Sequence, residues 1–142
     1  MTAEYEVREA SNHNAVAMNQ MLKGDASLIA SVWSHAANVT VMHPVGTQDV
    51  GWDAVQASFE NFSALASEGT FELQHQSITV TGDIAVEMGT EHARGKLGGH
   101  AYDIQPRVTN IYAKQAGGWK MIHHHSEVDP SIVEVLGRLQ AY

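Results

Sequence analysis

Hydrophobic and polar positions along the 142-residue chain follow a helical period in some segments and a strand period in others. Over residues 4–23 the apolar positions lie three or four apart, which predicts an amphipathic helix that ends at Gly24. Asp25 is typical of the cap of a second, shorter helix. A third helix is predicted to begin at Asp53 and to end at Gly69.

Five further segments show the period-two alternation and the β-branched residues of strands. They are residues 38–43, 70–81, 84–94, 107–115 and 119–126. The Gly-Asp pair at 82–83 predicts a two-residue hairpin turn, and Pro106 predicts an edge or a bulge. A short last helix is predicted from the Asp-Pro pair at 129–130. The resulting order, ααβαββββα, predicts one α+β domain over residues 1–142, with a curved sheet wrapped by helices.

Charge and composition exclude several classes of function. Sixteen acidic residues against eight basic ones give a formal net charge of −8, which disfavours nucleic acid and anionic membranes as partners. No stretch approaches the roughly 18 apolar residues of a membrane span. The absence of cysteine excludes thiol chemistry, and the polar N-terminus lacks the apolar core of a signal peptide, so we expect a cytoplasmic protein. The unusual feature is nine histidines, three of them consecutive.

Short motifs in a fixed order relate the chain to a known family. They are Gly24-Asp25, MHPVG at 42–46, Gly51, Gly82-Asp83, RVT at 107–109 and GGWKMIHHHS at 117–126. With this order and spacing the chain resembles the nuclear-transport-factor-2-like (NTF2-like) superfamily, especially its SnoaL-like branch. The last strand is also similar to the association domain of calcium/calmodulin-dependent protein kinase II.

The resemblance implies a cone-shaped, cystatin-like fold with an internal pocket. A strongly bent mixed sheet would be wrapped by three helices from the N-terminal half, with a short C-terminal helix added. It also implies a homodimer that packs through the outer face of the sheet, for which Ile78, Val80 and Ile111 are the predicted surface residues.

His43 is the sharpest functional match. In ketosteroid isomerases of the superfamily the proton-shuttling aspartate stands just before Pro-Val-Gly, where this chain has His43. The resemblance therefore implies a proton-transferring base at His43. The tyrosine and the protonated aspartate that hold the oxyanion in those enzymes fall about at Ala17 and near Thr109 or Asn110, so steroid isomerisation is not carried over.

The last strand is predicted to turn one face toward the pocket, because side chains alternate along a strand. This pocket face comprises Trp119, Met121, His123 and His125, and His124 is predicted to point away from it. The same alternation gives Arg107 and Thr109 a common face on the neighbouring strand. On the first strand after the hairpin turn it groups Ala85, Glu87, Gly89 and Glu91.

Three functions are open if these side chains converge. In the favoured one, a small-molecule pocket protein acts as an isomerase, dehydratase or cyclase without a cofactor, with His43, His123 and Arg107 as the catalytic residues. In the second, the same residues bind an anionic or carbonyl-containing ligand without turning it over. In the third, His123 and His125 ligate zinc or iron together with His43 and Glu91. The ligand-binding candidates are Trp33, Trp52, Phe59, Phe62, Glu91, Thr109 and His125.

Each candidate also has a structural interpretation that requires no ligand. The pair His123 and His125 would then be buried histidines bonded to backbone or to a glutamate, and Arg107 would be an ion-pair partner. The tryptophans and phenylalanines would belong to the core. The competing functional class is a non-catalytic association module, in which methionine and phenylalanine side chains fill the cone.

Overall fold

The computed structural model describes residues 2–140, which form four helices and one sheet of seven strands. The α+β class is confirmed, as are all four predicted helices and the hairpin, although the second helix begins at Ile29 and is not capped by Asp25. Two short strands, Gln48–Val50 and His100–Ile104, were not predicted. In chain order the elements are α1 (Ala3–Met21), α2 (Ile29–Val32), β1 (Thr40–Met42), β2 (Gln48–Val50), α3 (Trp52–Leu65), β3 (Ala66–Thr81), β4 (Ile84–Leu97), β5 (His100–Ile104), β6 (Arg107–Gln115), β7 (Gly118–Ser126) and α4 (Pro130–Gln140).

The sheet is mixed and bent, as the resemblance implies. Its strand order is β2-β1-β7-β6-β4-β3, and β5 pairs with β4 beside this path. Every pairing is antiparallel except that of β1 with β7, which is parallel. The long strand β4 pairs with β6 through its first half and with β5 through its second half. This change of partner along one strand lets the sheet curve around the space that the helices cover.

Helix α1 lies across the sheet and is held to β3 by side-chain hydrogen bonds, two of which come from Asn19. Asn19 Nδ2 donates to the carbonyl of Phe71, and Asn19 Oδ1 accepts from the Phe71 amide, both at 2.9 Å. Thr2 caps the start of the helix by accepting from the Tyr5 amide at 3.1 Å. The apolar stripe of α1 thereby faces the sheet, and its residues Val7, Ala17 and Met21 are buried.

Gly69 does not end helix α3, as the sequence pattern had predicted. The helix ends at Leu65, and Gly69 lies inside β3 beneath the end of α1. A Cβ atom at this position would lie 2.4 Å from both the Cβ atom and the carbonyl oxygen of Leu22. The glycine therefore permits a close approach of helix and strand.

A one-residue bulge in β7 changes which side chains face the interior. Ile111 of β6 is paired with His123, whereas Tyr112 is paired with Met121, so Ile122 has no partner opposite it. Before the bulge, Trp119 and Met121 face the core as predicted. After it, every side chain takes the face opposite to the one that simple alternation assigns.

The core lies between the concave face of the sheet and the helices. Trp33, Val55 and Phe59 are buried on the side of α2 and α3, and Ile132 of α4 closes the side next to β5. Ile78 and Val80 were predicted on the outer face, but they stand opposite the buried Glu87 and Ala85 and pack against the core. Within residues 2–140, no helix is long and apolar enough to span a membrane.

Candidate functional site

A cavity of about 460 Å³ occupies the inside of the cone. Its walls come from α1, α3, α4 and the concave face of the sheet. The apolar part of the wall includes Met18, Met21, Leu22, Phe59, Phe62, Phe71, Ile104 and Leu136. The polar part is smaller and includes His43, Asp49, Ser58, Glu91, Tyr102 and His124. A mostly apolar cavity with a few polar groups is the usual form of a small-molecule site.

His43 reaches this cavity from the tight turn that joins β1 to β2. The His43 amide donates to the Thr47 carbonyl at 2.9 Å, and the Gly46 amide donates to the His43 carbonyl at 3.0 Å. Gly46 has a φ of 93°, a left-handed conformation that a glycine adopts without strain. The MHPVG motif thus places the imidazole at the end of β1, against the edge of the Phe59 ring.

The partners of His43 fix which ring nitrogen carries the proton. His43 Nε2 lies 3.2 Å from Asp49 Oδ2 and 2.9 Å from Ser58 Oγ. The Ser58 hydroxyl donates its own proton to the Val55 carbonyl at 2.8 Å, so both of these neighbours are acceptors. Nε2 is therefore the protonated nitrogen, and Nδ1 is left with a lone pair that can take a proton.

The pKa of His43 is lowered by burial, while the charge and the hydrogen bond of Asp49 raise it in part. The imidazole is therefore neutral at neutral pH, and it is a base that has a carboxylate to stabilise its charged form. This is the arrangement expected of a histidine that accepts a proton from a ligand.

Glu87, on the inner face of β4, is fully buried and accepts three hydrogen bonds. The donors are Gln76 Nε2 at 2.7 Å, Asn110 Nδ2 at 3.0 Å and the Tyr112 hydroxyl at 3.0 Å. A buried carboxylate is tolerated only when such donors replace water. This network also fixes the side-chain amide of Asn110, whose oxygen is left to face β7.

His124 is bound to that amide and not to solvent. Its Nδ1 lies 2.6 Å from Asn110 Oδ1 and donates to it, because the Asn110 nitrogen is already used for Glu87. Burial, together with the charges of the neighbouring histidines, lowers the pKa of His124 to about 3, so the ring is neutral. Its other nitrogen, Nε2, is an acceptor in the wall of the cavity.

Glu91 is the second buried carboxyl of β4 and lines the cavity directly. Alternation along β4 correctly placed it on the same face as Glu87. Desolvation, and the charge of Glu87, raise the pKa of Glu91 to about 8. No hydrogen-bond donor contacts its side chain within residues 2–140, which sets it apart from Glu87.

Four predicted site residues lie on the outer face of the sheet and do not meet His43. His123 and His125 point outward because of the bulge in β7, and Thr109 is opposite His125 in the pairing of β6 with β7. The Arg107 side chain is 79% exposed and binds Glu127 through two hydrogen bonds of 2.9 and 2.6 Å. The expectation that His123, His125, Arg107 and Thr109 face the pocket is therefore corrected, and so is the outward placement of His124.

The aromatic candidates divide between the cavity and the core. Phe59 and Phe62 line the cavity. Trp33 is buried beside Phe59, with ring centroids 6.1 Å apart, and Trp52 is buried beneath the stacked ring of His35. Neither tryptophan lines the cavity, so both serve the packing that positions α3.

The predicted metal set is divided between two faces of the sheet. His43 and Glu91 lie inside the cone, whereas His123 and His125 lie outside it. Among residues 2–140, no group of three or more histidine, aspartate or glutamate side chains is close enough to hold a metal ion. The four residues of the predicted His/Glu metal site therefore do not come together in the structure.

Sequence reasoning missed the polar network of Glu87, Asn110, Tyr112 and His124. Only one signal for it was present, the common face of Glu87 and Glu91. The bulge that turns His124 inward lies in the middle of β7 and has no glycine or proline to mark it.

Comparisons with known proteins agree with this fold. A protein of the NTF2-like superfamily from Salmonella enterica serovar Typhimurium is 20% identical, with a TM-score of 0.79 over 89% of this chain and 90% of its own. A proposed dehydratase of the NTF2-like family from Streptomyces avermitilis is 23% identical, with a TM-score of 0.74 over 91% of this chain and 99% of its own.

The hub of a calcium/calmodulin-dependent protein kinase II (CaMKII) has a similar fold. The CaMKII hub of S. rosetta is 22% identical, with a TM-score of 0.67 over 87% of this chain and 94% of its own. Among proteins with curated descriptions, none matches the sequence. A family model described as a SnoaL-like domain matches residues 9–128. The chain therefore belongs to the SnoaL-like domain family.

Proposed function

We propose that this SnoaL-like protein binds a small organic molecule in the cone cavity and catalyses a proton transfer on it, with His43 as the base. The observation that carries the proposal is the hydrogen bonding of His43 Nε2 to Asp49 and Ser58 in the cavity wall, which leaves Nδ1 free to accept a proton. Members of this superfamily include isomerases and dehydratases, and the proposed reaction is the step that those classes share.

The proposed step begins with a carbon acid, such as the carbon next to a carbonyl group. His43 Nδ1 takes the proton from that carbon, and the electron pair moves onto the carbonyl oxygen. The imidazolium that forms is stabilised by Asp49, 3.2 Å from Nε2. Return of the proton to another atom of the ligand gives an isomer. Its delivery to a neighbouring hydroxyl, which then leaves as water, gives a dehydrated product. Attack of the carbon on a second carbonyl, whose oxygen takes the proton, closes a ring. The proposal calls for no cofactor.

Asp49 and Ser58 have distinct positioning roles in this proposal. Asp49 raises the pKa of His43 against the effect of burial, so it supports the protonated intermediate. Ser58 is fixed by its bond to the Val55 carbonyl and holds the ring in one orientation. Both contacts use Nε2, so neither competes with a ligand for Nδ1.

The test is the exchange of carbon-bound hydrogen in D₂O, followed by NMR. The probe is 2-tetralone, an uncharged bicyclic ketone with acidic hydrogens next to its carbonyl. We expect the full-length chain to accelerate exchange and His43→Gln to lower the rate by about 10²-fold or more, the range for loss of a general base. His13→Gln, which removes an exposed histidine bound to Ser31, is the matched control and should keep the rate. Equal exchange by His43→Gln and the wild type would refute the proposal.

A second proposal, self-association, is supported by the outer face of the sheet. Apolar side chains are exposed there in a row, with Met88 54% exposed and Ile84, Val86 and Met42 also exposed. We propose a homodimer formed through this face, which also contains His123, His125 and the partly exposed Ile111. These β4 residues take the place of Ile78 and Val80 in the predicted surface.

The test is the molar mass in solution by light scattering after gel filtration. We expect a dimer for the wild type and a monomer for Met88→Glu, because a buried unpaired charge would oppose association. Val133→Glu, which places the same charge on an exposed site of α4, should remain dimeric. A monomeric wild type, or a dimer that survives Met88→Glu, would contradict the proposed interface.

A further inference from the structure

Glu91 is a buried acid whose carboxyl group faces a cavity and lacks a partner. The residue is only 6% exposed, and it lines the cone cavity. Among the described residues no donor reaches its oxygens, whereas Glu87, four residues earlier on the same face, has three. Its oxygens border the cavity, so a donor for them can come only from a molecule inside the cavity. A ligand that supplied this donor would stabilise the carboxylate.

The other polar atoms in the wall include two histidine acceptors and the hydroxyl of Tyr102, which is buried without a hydrogen-bond partner among the described residues. His124 Nε2 has a lone pair because its Nδ1 donates to Asn110. His43 Nδ1 has one because its Nε2 faces Asp49 and Ser58. A cavity with this inventory is complementary to a ligand that donates hydrogen bonds.

Among the described residues that line the cavity, none brings a positive charge to balance these groups. The titratable side chains around Glu91 are Glu87 on β4, Tyr102 on β5, Tyr112 on β6, His124 on β7, and His43 and Asp49 at the turn between β1 and β2. Both histidines are neutral at neutral pH, and no lysine or arginine is among the residues that line the cavity. The field inside the cone is therefore negative and favours a cation.

The apolar wall also suits an organic cation. The rings of Phe59, Phe62, Phe71 and Tyr102 line the cavity together with Met18 and Met21. Aromatic faces attract ammonium groups through their quadrupoles, and thioethers pack well against apolar bodies. A simple inorganic cation would gain little from such a wall, whereas an amine on an apolar body would use all of it.

We propose that the cone cavity binds an organic cation, a primary or secondary amine on an apolar body, and that Glu91 is the counter-ion of its ammonium group. This inference rests on the proposed use of the cavity as the ligand site, but not on the role of His43. This proposal replaces the sequence-based prediction of an anionic ligand. Arg107 was predicted to bind the anion, but it lies outside the cone and is paired with Glu127.

Binding of the cation has a protonation signature. With a pKa of about 8, the carboxyl of Glu91 is mostly protonated at pH 7 when the cavity has no ligand. An ammonium group stabilises the carboxylate, so the proton leaves as the ligand binds. At pH 7 about 0.9 proton should be released per ligand, and the affinity should rise with pH up to about pH 8.

The experiment is titration calorimetry of the full-length chain with three probes of one shape. They are 2-naphthylmethylammonium, 2-naphthalenemethanol and 2-naphthoate, which differ chiefly in charge. We expect the ammonium to bind at least tenfold more tightly than the alcohol and the naphthoate to bind most weakly. Repeating the ammonium titration in buffers of different ionisation enthalpy measures the released proton.

Two matched variants assign the effect to Glu91. Glu91→Gln keeps the size of the side chain but cannot become charged, so it should lose the preference for ammonium and the proton release. Glu72→Gln, at an exposed position of β3, should keep both. Equal binding of ammonium and alcohol, tightest binding of naphthoate, binding of none of the probes, or an unchanged preference in Glu91→Gln would each overturn the proposal.

A third variant separates this inference from the proposed reaction. His43→Gln should still release the proton when 2-naphthylmethylammonium binds, because that proton comes from Glu91, even though the loss of one neutral acceptor lowers the affinity. Loss of hydrogen exchange in that variant with retained proton release supports both proposals. Retained proton release with unchanged exchange would refute only the role of His43.

Discussion

One contribution to the stability of this protein should fall as the pH rises from about 5 to 8, and Glu91→Gln should remove it. The cause is the buried carboxyl of Glu91, whose pKa of about 8 compares with an ordinary value of 4.5. Between these two values the folded chain binds a proton that the unfolded chain has lost. The contribution of Glu91 to stability therefore decreases with pH throughout this window, and the carboxyl has no such effect below it.

The magnitude follows from the width of the window. Each pH unit in which only the folded chain keeps the proton costs about 1.4 kcal/mol of unfolding free energy. From pH 4.5 to pH 7 the carboxyl should thus cost on the order of 3 kcal/mol, a large share of the roughly 5–15 kcal/mol typical of a domain. Water that enters the cavity would solvate the charge and reduce this figure, so it is an upper bound.

The assay is urea unfolding of the wild type and Glu91→Gln at several pH values. The quantity of interest is the difference in unfolding free energy between the two proteins, because contributions of titrating groups that do not interact with Glu91 cancel in it. We expect Glu91→Gln to gain stability relative to the wild type steadily from pH 5 to pH 8. Glu72→Gln is the control and should show a constant difference.

A difference between Glu91→Gln and the wild type that stays constant over this range would refute the reasoning. Glu91 would then titrate at its ordinary pKa, and the cavity would be as polar as bulk water around it. Saturating 2-naphthylmethylammonium adds a second check. It should remove from the wild type the part of the pH dependence that Glu91 contributes, because the ammonium stabilises the charged carboxylate.

Three other variants probe the network, the helix contact and the base. Asn110→Leu should lower the unfolding free energy by about 2–5 kcal/mol in urea denaturation, because buried Glu87 loses a donor; a loss below about 1 kcal/mol would mean that water replaces it. Gly69→Ala should cost about 1–3 kcal/mol, since its Cβ would overlap α1, and an unchanged melting temperature would contradict that close contact. In the pH–rate profile of 2-tetralone exchange, Asp49→Asn should move the loss of rate at acidic pH to lower pH, because the charge that raises the pKa of His43 is gone. A profile that does not move would exclude this role of Asp49.

Local sequence signals predicted the fold and the position of the candidate base. The helical stripe of residues 4–23, the hairpin turn at 82–83 and the proline at 130 are each readable within a few residues, and all three elements formed. The MHPVG motif placed His43 at the end of a strand and in the wall of the cavity. Strands β2 and β5 escaped prediction because they are short and pair only through the sheet.

The sequence by itself determined the α+β class, the family and the alternation that puts Glu87 and Glu91 on one face of β4. These depend on periods and motifs within single segments. Only the tertiary structure decided that His124, and not its two neighbours, faces the cavity, and that Arg107 binds Glu127 outside it. The physical reason is the bulge at Ile122, because one extra residue reverses the facing of every later side chain and its position depends on how β7 pairs with β6.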